Sequence, residues 1–162
     1  MTFELRFQRL INADRVVVFD LFTEQGGQVA FYQQGEAAWI VRSECELRVG
    51  GVWSVEFGPS EDEIYRHRHV FNVIDRPRRL LMTTTETRPD GSSFDTETEI
   101  RFEEHGWQTL MTVRQMGFPT EVLRDEHTVG LPEAFAQFER FIGGEVQGLH
   151  AEHHGTGSDT TK

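Results

Sequence analysis

The stretch Tyr65-Arg66-His67-Arg68-His69-Val70-Phe71 carries the residue types best suited to chemistry. His67 and His69 stand at strand spacing, so both side chains leave the same face of a strand. Tyr65, Phe71 and Val73 share that face, while Arg66, Arg68, Val70 and Asn72 take the other. Guanidinium groups are costly to bury, so the arginine face is expected outside and the histidine face inside. Two imidazoles on an inner face suit general acid and base roles, since the unperturbed imidazole pKa lies near neutrality. The same pair suits orientation of a ligand by hydrogen bonds, or pairing with carboxylates at a sheet edge. A register slip of one residue would reverse the assignment.

Other chemistry finds less support. Metal binding by His67 and His69 needs a third ligand, and Glu86 on the following strand is the candidate. Neither HExxH nor paired CxxC occurs, so no metal and no cofactor is expected. Cys45 lies between Glu44 and Glu46, which raise a thiol pKa when close, and it reads as a small buried residue. Gly50-Gly51 has no accompanying lysine or GxGxxG and reads as a hairpin turn. Asp95, Glu97, Glu99 and Glu103 alternate with Thr96, Thr98, Ile100 and Phe102. They offer paired carboxylates or, more simply, a solvated sheet face.

These residues need elements to position them. Phe3, Leu5, Phe7, Arg9 and Ile11 alternate with Glu4, Arg6, Gln8 and Leu10, as in a half-buried strand. Asn12 is placed as the cap of a helix running to Phe22, with Val16, Phe19 and Phe22 on its buried face. Gly26-Gly27 ends or bends it, and a second short helix spans Val29 to Gln34. Period-two runs then follow from Trp39, Trp53, Ile64, Leu80, Phe94 and Trp107. Gly58 to Asp62 reads as a loop, and Arg88 to Ser92 as a hairpin connection. The remainder is helical from Thr120, its candidate cap. Leu131, Phe135, Phe138 and Ile142 form a core-facing stripe, and Pro132 predicts a broken or kinked helix.

A run of strands with no βαβ alternation implies an antiparallel sheet of about six or seven strands in an α+β fold. The long C-terminal helix must bury its stripe on the concave face of that sheet. One domain is expected over 1–146, with 147–162 a disordered polar tail.

Composition narrows the partners. The chain has 162 residues and a net charge of −11, which disfavours nucleic acid and anionic membrane surfaces. No apolar run is long enough for a membrane span. No basic segment followed by an apolar core opens the sequence, and Cys45 is the lone cysteine. The expected location is therefore cytoplasmic.

Three stretches bring a family into view. Arg9-Leu10-Ile11-Asn12-Ala13-Asp14-Arg15-Val16-Val17-Val18-Phe19-Asp20-Leu21-Phe22-Thr23 resembles the opening of the activator of heat-shock-protein-90 ATPase homologues. Glu46 to Trp53 resembles that family's double-glycine and tryptophan turn, and Arg76 to Thr83 its proline turn. Gly130-Leu131 sits where the family usually has glycine and tryptophan. The resemblance implies the SRPBCC superfamily and its helix-grip fold, START- or Bet v 1-like, with one or two short helices after strand one. It also implies a cavity for a hydrophobic ligand. The sequence departs from the pattern at Phe31-Tyr32, in place of a tryptophan pair, and at Pro132. His69 stands where a small residue is common, which would put a polar group in the cavity.

The first functional expectation is a cofactor-independent binder of a small hydrophobic or aromatic molecule. Its expected contacts are Trp39, Trp53, Phe57, Tyr65, His67, His69, Phe71, Thr84, Glu86 and Phe135. The second is a polyketide-cyclase or dehydratase-type lyase in which His67 or His69 moves a proton. The third is a protein-interaction module acting on a chaperone. A homodimer is left open.

Overall fold

The computed structural model describes residues 1–33 and 39–158. In chain order the elements are β1 (Phe3–Ile11), α1 (Arg15–Phe22), α2 (Gln25–Tyr32), β2 (Ile40–Cys45) and β3 (Val52–Ser60). They continue as β4 (Glu63–Asp75), β5 (Arg79–Thr87), β6 (Ser93–His105), β7 (Gln108–Phe118) and α3 (Glu121–Ser158). The strands form one curved antiparallel sheet in the order β1-β7-β6-β5-β4-β3-β2. Short turns join β2 through β7 into a meander, and β1 crosses the whole chain to pair with β7. The sheet holds α3 against its inner face in the helix-grip arrangement.

The grip is built on alternation. In β1, Leu5 and Ile11 are buried while Glu4, Arg6, Gln8 and Leu10 are exposed. Arg9 belongs to the inner row, and its guanidinium donates to Glu139 of α3 at 2.8 and 3.1 Å. Phe22 joins the layers, standing edge-on to Phe31, Trp53, Phe102 and Phe138 at centroid distances of 5.3 to 6.1 Å. That geometry places positive ring edges on negative ring faces, adding to area burial. A buried polar clasp fixes α2 to the sheet: Ser43 Oγ donates to Gln28 Oε1 at 2.8 Å and accepts from Trp53 Nε1 at 2.9 Å.

Several local expectations are corrected. The cap of α1 is Asp14, not Asn12: its Oδ1 accepts from the Val16 amide at 2.9 Å. The shift turns Val16 outward, leaving it 41% exposed, and buries Val18 with Phe19 and Phe22. Asp14→Ala is expected to lower stability by about 1 kcal/mol, read by urea denaturation; an unchanged midpoint would remove the cap from the account.

Gly26 and Gly27 lie inside α2 rather than ending a helix. The second helix therefore begins at Gln25, and residue 34 lies outside the described residues. The region read as a loop from Gly58 is the end of β3, where a register irregularity between Phe57 and Ser60 accommodates Pro59. Thr120 does cap α3, accepting from the Leu123 amide at 3.2 Å.

Pro132 does not break α3. A mid-helix proline costs about 3 kcal/mol. Here Phe135, Phe138 and Ile142 are all buried after it. Each such side chain contributes about 1.5–3 kcal/mol, so packing outweighs the defect. Helical backbone continues to Ser158, across the composition change at 147. Among the described residues, no helix is long and apolar enough to cross a membrane.

Candidate functional site

A cavity of about 150 Å³ lies between the sheet and α3. Its apolar wall includes Leu5, Phe22, Phe31, Trp53, Phe57, Met82, Ile100, Val113, Leu131 and Ala134. Its polar lining is Tyr32, His67, His69, Thr98, Gln115 and His127. A surface recess formed by Phe57, Tyr65, Arg88, Glu126, His127 and Gly130 shares Phe57, His127 and Gly130 with the cavity. The three shared residues form the wall between cavity and recess.

Each polar side chain has an identifiable origin. Alternation on β4 aims His67 and His69 inward, with Arg66 and Arg68 exposed on the opposite face. Antiparallel pairing sets Glu86 of β5 opposite His67, and Thr84 opposite His69. The next pairing sets Thr98 of β6 beside Met82, one pleat from Thr84. Gln115 reaches in from β7, Tyr32 from the end of α2, and His127 from the second turn of α3.

The groups form one connected network. Glu86, only 4% exposed, accepts at Oε1 from His67 Nε2 at 2.9 Å and from His127 Nε2 at 2.5 Å. Its Oε2 accepts from Gln115 Nε2 at 2.9 Å, and that amide also reaches Thr96 Oγ1 at 2.8 Å. His127 Nδ1 donates to the Leu123 carbonyl at 2.7 Å. Tyr32 Oη bridges the pair on β4, 2.8 Å from His67 Nδ1 and 3.1 Å from His69 Nε2. His69 Nδ1 then meets Thr84 Oγ1 at 2.8 Å, and Thr84 meets Thr98 Oγ1 at 2.8 Å.

Proton positions follow from Glu86. Burial works to raise its carboxyl pKa, but the charge and hydrogen bonds of His67 and His127 outweigh burial and hold it well below the usual range. An ionised carboxylate only accepts, so both Nε2 atoms donate. His127 donates from both nitrogens and is an imidazolium. Burial opposes that charge, yet the hydrogen bond to Glu86 raises its pKa overall. His67 donates from Nε2 to Glu86, and its Nδ1 lies 2.8 Å from Tyr32 Oη. Tyr32–His69, His69–Thr84 and Thr84–Thr98 continue the chain, each bond taking its sense from the proton on the link before it. Burial, with a smaller contribution from His67, lowers the His69 pKa to about 3, so this ring stays neutral. Burial, then the Glu86 charge, pushes the Tyr32 phenol well above its ordinary pKa. The hydroxyl therefore keeps its proton at neutral pH.

The expected contact residues divide into three groups. Trp53, Phe57, His67 and His69 line the cavity. Thr84 and Glu86 are buried directly behind, hydrogen-bonded to its histidines. Trp39, Tyr65, Phe71 and Phe135 stand elsewhere. Phe71 and Phe135 are packed in the core. Trp39 donates to the Tyr32 carbonyl at 3.0 Å, and Tyr65 stacks on Phe57 in the outer recess.

Sequence reasoning missed Tyr32, His127 and Gln115. His127 had a readable signal: Leu123, His127 and Leu131 extend the stripe of α3 at four-residue spacing. His127 is also the third donor group that the pair His67 and Glu86 lacked.

Two other readings are refined. Glu99 is not part of a solvated acidic face: it is 8% exposed and is ion-paired with Arg79 and with Arg101 at 3.3 Å. Cys45 is half-buried; burial pushes its thiol pKa up and Glu46 adds to it, a poor setting for a nucleophile.

A family model described as "Activator of Hsp90 ATPase homolog 1-like protein" matches residues 12–143. No curated protein matches the sequence. Among solved structures, protein CV1439 from Chromobacterium violaceum superposes with a TM-score of 0.74 at 16% identity, covering 86% of this chain and 96% of that one. An uncharacterised protein from Rhizobium leguminosarum gives 0.72 at 13% identity, covering 88% and 95%. CalU16 from Micromonospora echinospora gives 0.59 at 20% identity, covering 92% and 82%. At these identities the structures speak for the fold. The family match spans most of the chain, and with it the chain belongs to the Activator of Hsp90 ATPase homolog 1-like family of the SRPBCC superfamily.

Proposed function

We propose that this protein binds a small, largely apolar molecule, of single-ring or short-chain size, in the cavity between the sheet and α3. The observation that carries the reading is the cavity itself, apolar on most of its wall and polar around Tyr32, His67 and His127. Apolar walls supply affinity and a few convergent polar groups supply orientation. The size is selective. An apolar protein cavity of about 150 Å³ admits benzene, whereas drug-sized ligands occupy about 300–1,000 Å³. A single ring suits this space better than a fused multi-ring polyketide does.

A ligand with one hydroxyl or carbonyl group fits best, because its polar group can meet Tyr32 or the imidazoles. p-Cresol is expected to bind more tightly than toluene, measured by ligand-observed NMR on the full chain. Ala134→Phe, which fills the cavity from α3, is expected to weaken p-cresol at least tenfold. Its overpacking cost is about 1–3 kcal/mol, so circular dichroism must first show that the fold is retained. Equal binding by the folded variant would place the ligand elsewhere.

A second reading is proton transfer to or from the bound molecule, as in a cofactor-independent cyclase or dehydratase. The hydrogen-bonded path Tyr32–His67–Glu86–His127 at the cavity wall favours it. A chaperone-partner reading rests on the family description alone.

A further inference from the structure

We propose that His67 Nε2, Glu86 and His127 Nε2 form a binding site for a divalent transition-metal cation of the zinc class. Three ligand atoms, one from each residue, lie within 4.8 Å of one another. Two imidazole nitrogens converge on a single carboxylate oxygen, at 2.9 and 2.5 Å, although Glu86 has a second oxygen. Two histidines and one glutamate are a known zinc donor set, complete with one or more open positions. Zinc–nitrogen bonds of about 2.0–2.1 Å place tetrahedral ligands roughly 3.3 Å apart. The present gaps open by less than about 1 Å to admit the ion.

The surroundings support the assignment independently. Metal-binding histidines are oriented through their other ring nitrogen, and ligating carboxylates are hydrogen-bonded in turn. Here His127 Nδ1 is held by the Leu123 carbonyl, His67 Nδ1 by Tyr32, and Glu86 Oε2 by Gln115. Every ligand is thus aimed by a partner that does not itself touch the ion. His67 and His127 line the cavity, and His127 also borders the surface recess, so the ligand set lies next to both spaces. The site needs no occupant in the cavity, so it stands or fails apart from the ligand-binding reading.

The sequence holds rival donors at His150, His153 and His154. The test therefore uses the full chain with those three changed to alanine, stripped with chelator and titrated with ZnCl₂ by calorimetry. One equivalent is expected to bind. Separately adding His127→Gln or His67→Gln is expected to weaken binding at least about 100-fold, and Tyr32→Phe or Gln115→Ala about 10-fold. Cobalt(II) substitution supplies a second readout, a visible d–d spectrum that His127→Gln abolishes while circular dichroism shows a retained fold. Loss of all binding in the tail variant would overturn the proposal. So would unchanged affinity after both His67→Gln and His127→Gln.

Discussion

Replacing Glu86 with alanine is expected to destabilise the metal-free protein by about 3–5 kcal/mol, the cost of removing one partner of a buried charge pair. Glu86 is buried and accepts from His67, His127 and Gln115. Alanine leaves all three donors without that acceptor. It also removes the countercharge that keeps His127 protonated. Glu86→Gln keeps one acceptor oxygen and most of the volume, and is expected to cost less, about 1–3 kcal/mol. Urea denaturation in the presence of chelator, followed by tryptophan fluorescence, separates the two. A loss below about 1 kcal/mol for the alanine variant would contradict the buried, triply bonded carboxylate.

Gly27→Ala is expected to be at least as damaging, by more than about 3 kcal/mol. A Cβ at this position would stand 1.8 Å from the Leu21 carbonyl oxygen and 2.7 Å from its carbon. Those are backbone atoms at the end of α1, so no side-chain rotation relieves the overlap. Neighbouring Gly26 differs in kind: a Cβ there would meet the tip of the Phe141 ring at 2.8 Å, and a ring can swing. Exposed Gly143 has nothing within 4 Å of a built Cβ. Gly143→Ala should stabilise the helix by about 0.4–1 kcal/mol. The three variants form a series in denaturation midpoint, and equal effects would refute the close approach of α1 and α2.

The same glycines show where sequence reading succeeds and where it stops. Strands were legible because each carries its own alternation, and the sense of β4 was legible because arginines flank its histidines. Gly26-Gly27 looked like punctuation because glycine lowers helix propensity locally. The reason it sits inside α2 is a contact with α1 and α3, which no local signal contains. Tyr32 was missed for a related cause. Its hydroxyl reaches the histidines only because α2 is seated by the Gln28–Ser43–Trp53 clasp. Phe71 and Phe135 were assigned to the ligand because periodicity tells inside from outside but not packed core from cavity wall. Glu99 was read as solvated because its neighbours are charged, and those same arginines on adjacent positions are what allow it to be covered.

The hydrogen-bonded chain from Thr98 to Glu86 has one further consequence. Each hydroxyl or neutral ring in the chain holds a single proton, so the chain can run in either of two polarities. An occupant that takes the Nε2 lone pair of His67 forces that ring into its other tautomer. Tyr32, His69, Thr84 and Thr98 must then each turn their proton round. Thr98 itself lines the cavity. In the first polarity its proton is spent on Thr84 and it shows the cavity lone pairs; in the second its proton is free to point inward. A change on β4 is thereby displayed on β6 as a reversed preference for donor or acceptor, with only hydrogens moved. The pocket and the carboxylate behind it are the two ends of one hydrogen-bonded chain.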